Sequence, residues 1–120
     1  KLVDPVQFES YLGDKDLKNY VPMFGRELEP PTRDQINQIE RAGIDPTHID
    51  SQGKADELIK RINHREQLNL SSPKQIRQLE QRGYTNVANW TFDQARQLIT
   101  QIKANRWRTV HGNPQSYVPD

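Results

Sequence analysis

Three observations predict an all-α fold. Residues 32–65 align without a gap on residues 72–105, at a constant shift of forty positions. Each copy opens on a hydroxyl residue with Gln three positions later, Thr32 with Gln35 and Ser72 with Gln75, which is the signature of a helix capping box. Apolar residues recur at helical spacing, as Ala55, Leu58, Ile59 and Ile62 and again as Ala95, Leu98, Ile99 and Ile102. A tandem repeat of this size marks a scaffold or binding module rather than a catalytic pocket. The expected architecture is two helix-loop-helix copies packed together, preceded by a short N-terminal helix and an irregular lid.

Residues 1–31 form the N-terminal segment. Asp4 before Pro5 suits a helix start, the aspartate as N-cap and the proline in the first turn. Val6, Phe8, Tyr11 and Leu12 are its apolar residues, and Gly13 is a fitting stop. Residues 14–31 are irregular, yet Tyr20, Val21, Met23, Phe24 and Leu28 are too apolar for a free linker, so this stretch is expected to pack on the first copy. Pro30 and Pro31 mark the boundary.

Copy 1 covers residues 32–70 and copy 2 residues 71–108. Ile36 and Ile39, then Ile76 and Leu79, give the inward stripe of each first helix. Gly43 and Gly83 fall where a left-handed cap ends a helix. A long loop follows each glycine, with Ile44, Ile49, Tyr84, Val87 and Trp90 as plugs. Second helices begin near Ser51 and Thr91, and Thr91 with Gln94 is a further capping box. One copy is too small to bury a good core alone, so the copies are expected to pack on each other. Residues 109–120 form a tail with Gly112, Pro114 and Pro119 and no periodicity.

The 120 residues are 32% hydrophobic and 28% charged, with a mean hydropathy of -0.99. The core must therefore be thin. No cysteine is present, which excludes disulfides and cysteine metal sites and fits a cytoplasmic protein. No apolar run approaches the roughly 20 residues of a membrane span, and no secretory signal is visible. The chain begins at Lys1 without a methionine, as a segment of a longer protein would. The net charge of +1 is unevenly spread: residues 71–120 hold 7 basic and 3 acidic side chains, whereas residues 32–70 hold 6 and 7. Only the C-terminal part suits a polyanion.

Catalysis needs convergent groups, and none is visible. His48, His64 and His111 are scattered, without metal-ligand spacing. No phosphate-binding glycine loop occurs. No catalytic residue, metal site or cofactor is therefore expected. Glu40 and Glu80 recur, either on a solvated face or as a contact that holds the loop. The capping box accounts for Gln35 and Gln75.

Basic residues of copy 2 are the better lead. Lys74, Arg77 and Arg82 lie on its first helix, and Arg96, Lys103, Arg106 and Arg108 on or after its second. Arg106-Trp107-Arg108 sets an indole between two guanidinium groups. Lys74, Arg77, Arg96, Lys103, Arg106 and Arg108 suit phosphates, and Trp107 suits base stacking. Closure of the core at the helix end is the reading that a large aromatic favours for Trp107. Trp90, inside the loop, reads as core. In copy 1, Lys54, Lys60, Arg61 and Arg65 are offset by Asp50, Asp56 and Glu57, as in a spacer or protein-contact unit.

The pattern Ser72-Pro73-Lys74-Gln75-Ile76, Leu79-Glu80, Gly83-Tyr84, Trp90-Thr91-Phe92, Ala95, Leu98-Ile99, Ile102 and Asn105-Arg106-Trp107 resembles the C-terminal extension of DEAD/DEAH-box (superfamily 2) helicases of phages, prophages and low-GC Gram-positive bacteria. Asn19-Tyr20-Val21-Pro22, Phe24-Gly25-Arg26-Glu27-Leu28 and Pro30-Pro31-Thr32 resemble the join between that motor and its tail, as does the ending Tyr117-Val118-Pro119. In layout each copy is also similar to SAP modules, which bind DNA, and LEM modules, which chiefly bind protein. The resemblance implies an ATP-dependent helicase as parent, with its motor domains in the same polypeptide and DNA ahead of RNA as ligand. Motor motifs are absent from this chain, so a non-catalytic monomeric accessory domain is expected. The alternative is a protein-docking domain that packs on the motor or recruits a partner.

Overall fold

Local chemistry sets each helix boundary. In the computed structural model, which describes residues 1–13, 20–22, 25–108 and 110–120, five α-helices form: α1 Pro5–Leu12, α2 Arg33–Arg41, α3 Gln52–Gln67, α4 Pro73–Glu80 and α5 Phe92–Ala104. Short 3-10 turns occupy Gly25–Leu28, Val87–Asn89 and Pro114–Ser116. Among the described residues no strand forms beyond two isolated bridges, Val3 with Ile44 and Leu70 with Thr91. The fold is all-α. The expected packing of Met23 and Phe24 lies outside the described residues.

Asp4 caps α1 by accepting from the Gln7 amide. Thr32, Ser72 and Thr91 form complete capping boxes with Gln35, Gln75 and Gln94. Ser51 caps α3 through its hydroxyl alone. Each such cap contributes about 1 kcal/mol. At the other end, Gly43 (φ 91°) and Gly83 (φ 97°) take the left-handed conformation. The next amides, of Ile44 and Tyr84, reach back to the carbonyls of Ile39 and Leu79, both at 3.1 Å. This is the Schellman arrangement, and it turns Ile44 and Tyr84 inward; both are fully buried.

Gln35 and Gln75 do more than cap. Their side-chain amides donate to the carbonyls of Gln52 (3.2 Å) and Phe92 (3.3 Å), tying the start of one helix to the start of the next. The two helices of each copy therefore run in the same sense, and both glutamines are buried.

Helix packing is within each copy, α2 on α3 and α4 on α5, while α1 packs on α4 and on the Val87–Asn89 turn of copy 2. Just before α1, Val3 exchanges backbone bonds with Gly43 and Asp45 of copy 1, each 2.8 Å. The start of the chain is thus a bridge between the copies, not a lid over one. What matches the lid expectation is the described part of residues 20–31: Tyr20 lies on Gly53, and the Gln52 amide donates to the Glu29 carbonyl at 2.7 Å. Val21 and Leu28 are exposed rather than packed.

Further ties join the copies. Arg65, at the end of α3, donates from Nη2 to the Ala88 carbonyl at 2.7 Å and to the Ser71 carbonyl at 3.2 Å. Burial lowers its pKa. The connector is pinned along copy 2 by Ser71 N to Trp90 O and Phe92 N to Asn69 O, both 2.9 Å. The buried apolar residues form one cluster that runs from Val3 to Ile102. The body is long, 52 × 23 × 23 Å, with a radius of gyration of 15.7 Å, against roughly 13.6 Å for a compact chain of this length. One continuous core therefore runs along a row of two copies.

Candidate nucleic-acid interface

The basic residues singled out in copy 2 separate into two groups. Lys74 lies in the first turn of α4 and Arg77 in its last, and Arg77 faces the start of the chain. Arg77 spends its fork there: Nη1 donates to the Leu2 carbonyl and Nη2 to the Lys1 carbonyl, each 3.0 Å. Lys74 is exposed, but its stem passes over Gly43, where an added Cβ would lie 3.1 Å from Lys74 Cγ. Arg96 sits on the outer side of α5 with Nε 3.4 Å from Asp93 Oδ1. Such an exposed pair contributes about 0–1 kcal/mol.

Lys103, Arg106, Trp107 and Arg108 come together at the end of α5. The helix stops with Arg106 at φ 57° and Trp107 at φ 64°. The Trp107 amide reaches back to the Ile102 carbonyl at 2.8 Å and the Arg106 amide to Lys103 at 3.1 Å. This is the same Schellman closure, but with Arg106 where α2 uses Gly43 and α3 uses Asn69. A left-handed non-glycine residue costs roughly 1–2 kcal/mol, so this end is held by its surroundings. The turn lays the indole against Gln78, Leu79, Arg82, Ile99 and Ile102.

Trp107 is neither fully core nor fully exposed. One part covers the end of the core, and half of its surface, 50%, stays open to solvent. Arg82 Cζ lies 5.2 Å and Lys103 Nζ 5.7 Å from the ring centroid. Both distances are within cation–π range, about 0.5–1 kcal/mol each at an exposed site. Arg82, near the end of the first helix in sequence, thereby joins the site; only the tertiary fold brings it to Trp107. Arg106 and Arg108 are exposed on either side. None of these four cations forms an ion pair with a described carboxylate. Cations at a helix C-terminus also complement its dipole, worth about 0.3–1 kcal/mol, which accounts for one of them more readily than for four.

The remainder of copy 2 supports this end. Trp90 is core, as expected, with 5% of its surface exposed. The tail, which has no sequence periodicity, folds back over the loop. Tyr117 meets Tyr84 and Trp90 edge-on at 5.6 and 5.7 Å, and His111 Nδ1 bonds Tyr84 Oη at 2.8 Å. Gln94 Nε2 donates to the Asp120 carbonyl at 2.9 Å. Glu80 holds the loop by accepting from the Val87 amide at 3.3 Å. Burial raises its pKa, and that hydrogen bond opposes the rise.

Among the described residues no group of three or more His, Asp or Glu side chains converges as a metal site, and no helix is long and apolar enough to cross a membrane. Comparison of the chain with protein-family models, curated proteins and solved structures gives no match.

Proposed function

We propose that this chain is a non-catalytic accessory domain that binds nucleic acid through the end of copy 2. The observation that carries the proposal is the half-exposed Trp107, flanked by Arg106 and Arg108, with Arg82 and Lys103 over its ring. An accessible aromatic plane among cations that form no ion pair with a described carboxylate suits a single strand: the cations meet phosphates and the indole stacks on a base. Lys74 and Arg96 extend the positive surface along copy 2, while Arg77 contributes less, since its donors are engaged. The resemblance of copy 2, of residues 19–32 and of the ending Tyr117-Val118-Pro119 to a helicase extension supports placing the domain beside an ATP-dependent motor in the same polypeptide, with DNA ahead of RNA as ligand.

Fluorescence-anisotropy titration with labelled single- and double-stranded DNA and RNA at several salt concentrations tests the proposal. Four phosphate contacts on a single strand give a log–log salt slope of about -2.8, and replacing Arg106 and Arg108 by Ala reduces its magnitude by about 1.4. Trp107→Ala weakens binding by about 1–3 kcal/mol. Unchanged affinity in the double variant would remove this surface from consideration. No binding at low salt would leave the protein-docking role instead.

A further inference from the structure

In each copy the parallel helices leave a crevice between them, and the two crevices differ. That of copy 2, between Gln78 and Leu79 on α4 and Ile99 and Ile102 on α5, is closed by Trp107. The crevice of copy 1 is open, with a volume of about 390 Å³, and is lined by Asp34, Gln38, Ala42, Ile59, Ile62 and Glu66. Helix length is the cause. At the shift of forty, Gln67 stands where copy 2 has Trp107, and it is still helical because α3 runs on to that residue. By contrast α5 ends at Ala104 and the chain turns back over the crevice. Ala42 also stands where Arg82 does, which lowers the wall.

Charge differs as well. Asp34 replaces Lys74, Glu66 replaces Arg106 and Asn63 replaces Lys103. Among the described residues Arg41 is the one cation lining the copy 1 crevice, and its Nε donates to the Asn37 carbonyl at 3.3 Å. Copy 2 thus shows what such a crevice holds, an indole with basic neighbours. Copy 1 keeps the apolar floor of Ile59 and Ile62 and carries exposed carboxylates where copy 2 has cations.

We propose that the open crevice of copy 1 is a docking site for a segment of a separate protein that presents a tryptophan between basic residues. The ring would lie on Ile59 and Ile62, and the flanking cations would meet Asp34 and Glu66. This surface is distinct from the nucleic-acid surface, and its loss would leave that one intact.

The probe is a peptide with the sequence of residues 103–108, Lys-Ala-Asn-Arg-Trp-Arg, titrated into the full chain and followed by amide chemical shifts. Saturable shifts confined to α2 and α3 are expected, and none with a peptide carrying Ala for Trp. Glu66→Arg, at an exposed position, should weaken the peptide about tenfold through like-charge juxtaposition. Ala42→Arg should block it, with circular dichroism confirming the fold. Absence of shifts at millimolar peptide, or affinity unchanged in both variants, would overturn the proposal. Self-association that Trp107→Ala abolishes would also overturn it, by making a second copy of this chain the occupant.

Discussion

Ile44 and Tyr84 stand at equivalent places, each just after the glycine that ends its copy's first helix, and each is fully buried. They are sealed by opposite ends of the chain. Val3, from the N-terminus, pairs with Ile44, whereas Tyr117 and His111, from the C-terminus, pack on Tyr84. The repeat supplies helices, caps and half a core, and the non-repeating termini supply the cover. The unequal covers accompany unequal surfaces: copy 2 gathers cations around an indole, and copy 1 keeps an open, mildly acidic crevice.

The largest expected effect is at the two sealed positions. Tyr84→Ala should cost about 3–5 kcal/mol and Ile44→Ala about 2–5 kcal/mol in urea-monitored unfolding. A near-neutral result at either would mean that its terminal cover is not formed. Next comes the bridge. Arg77→Ala removes two charge-assisted bonds to the first two carbonyls and should cost about 1.5–3 kcal/mol, with hydrogen exchange at the Val3 amide speeding up. Arg77→Lys should not restore protection, because an ammonium lacks the two-pronged fork.

Smaller still is the tail. Tyr117→Ala should cost about 1–2 kcal/mol, given edge-on ring contacts worth about 0.5–1.5 kcal/mol each. Its effect on hydrogen exchange should stay within copy 2. Exchange that accelerates equally around Ile44 would contradict the separate sealing of the copies. The smallest effect concerns Glu80, whose pKa is raised by burial. A carboxyl raised on folding contributes stability that is fully present below its unfolded value, about 4.3, and lost as pH rises through the folded one. Glu80→Gln keeps an acceptor for the Val87 amide, so stability at neutral pH should hold within about 0.5 kcal/mol, while its decline with rising pH above 4.3 becomes shallower.

Helix positions were legible because their signals are local. A hydroxyl with Gln three residues on, and a glycine after the last apolar position, are settled within one or two turns. The covers were not legible. Val3, His111 and Tyr117 are single residues without periodicity, and each finds its partner about thirty or forty residues away. The same holds for Arg77, whose bonded carbonyls lie at the far end of the chain. Of the candidate site, Arg106-Trp107-Arg108 could be read from neighbouring residue types, and Lys103 from its place one turn before. Arg82 joins only through the parallel packing of α4 and α5. The difference between the two crevices depends on where each second helix stops, and neither copy has the glycine that would mark that stop.

The central claim, that copy 2 and not copy 1 carries the nucleic-acid surface, is tested most directly by amide chemical-shift mapping with a short single-stranded DNA at low salt. Shifts centred on Arg82, Lys103 and residues 106–108, including the Trp107 indole N–H, with copy 1 unmoved, are the predicted result. Shifts centred on α2 and α3, or no shifts at saturating DNA, would contradict it.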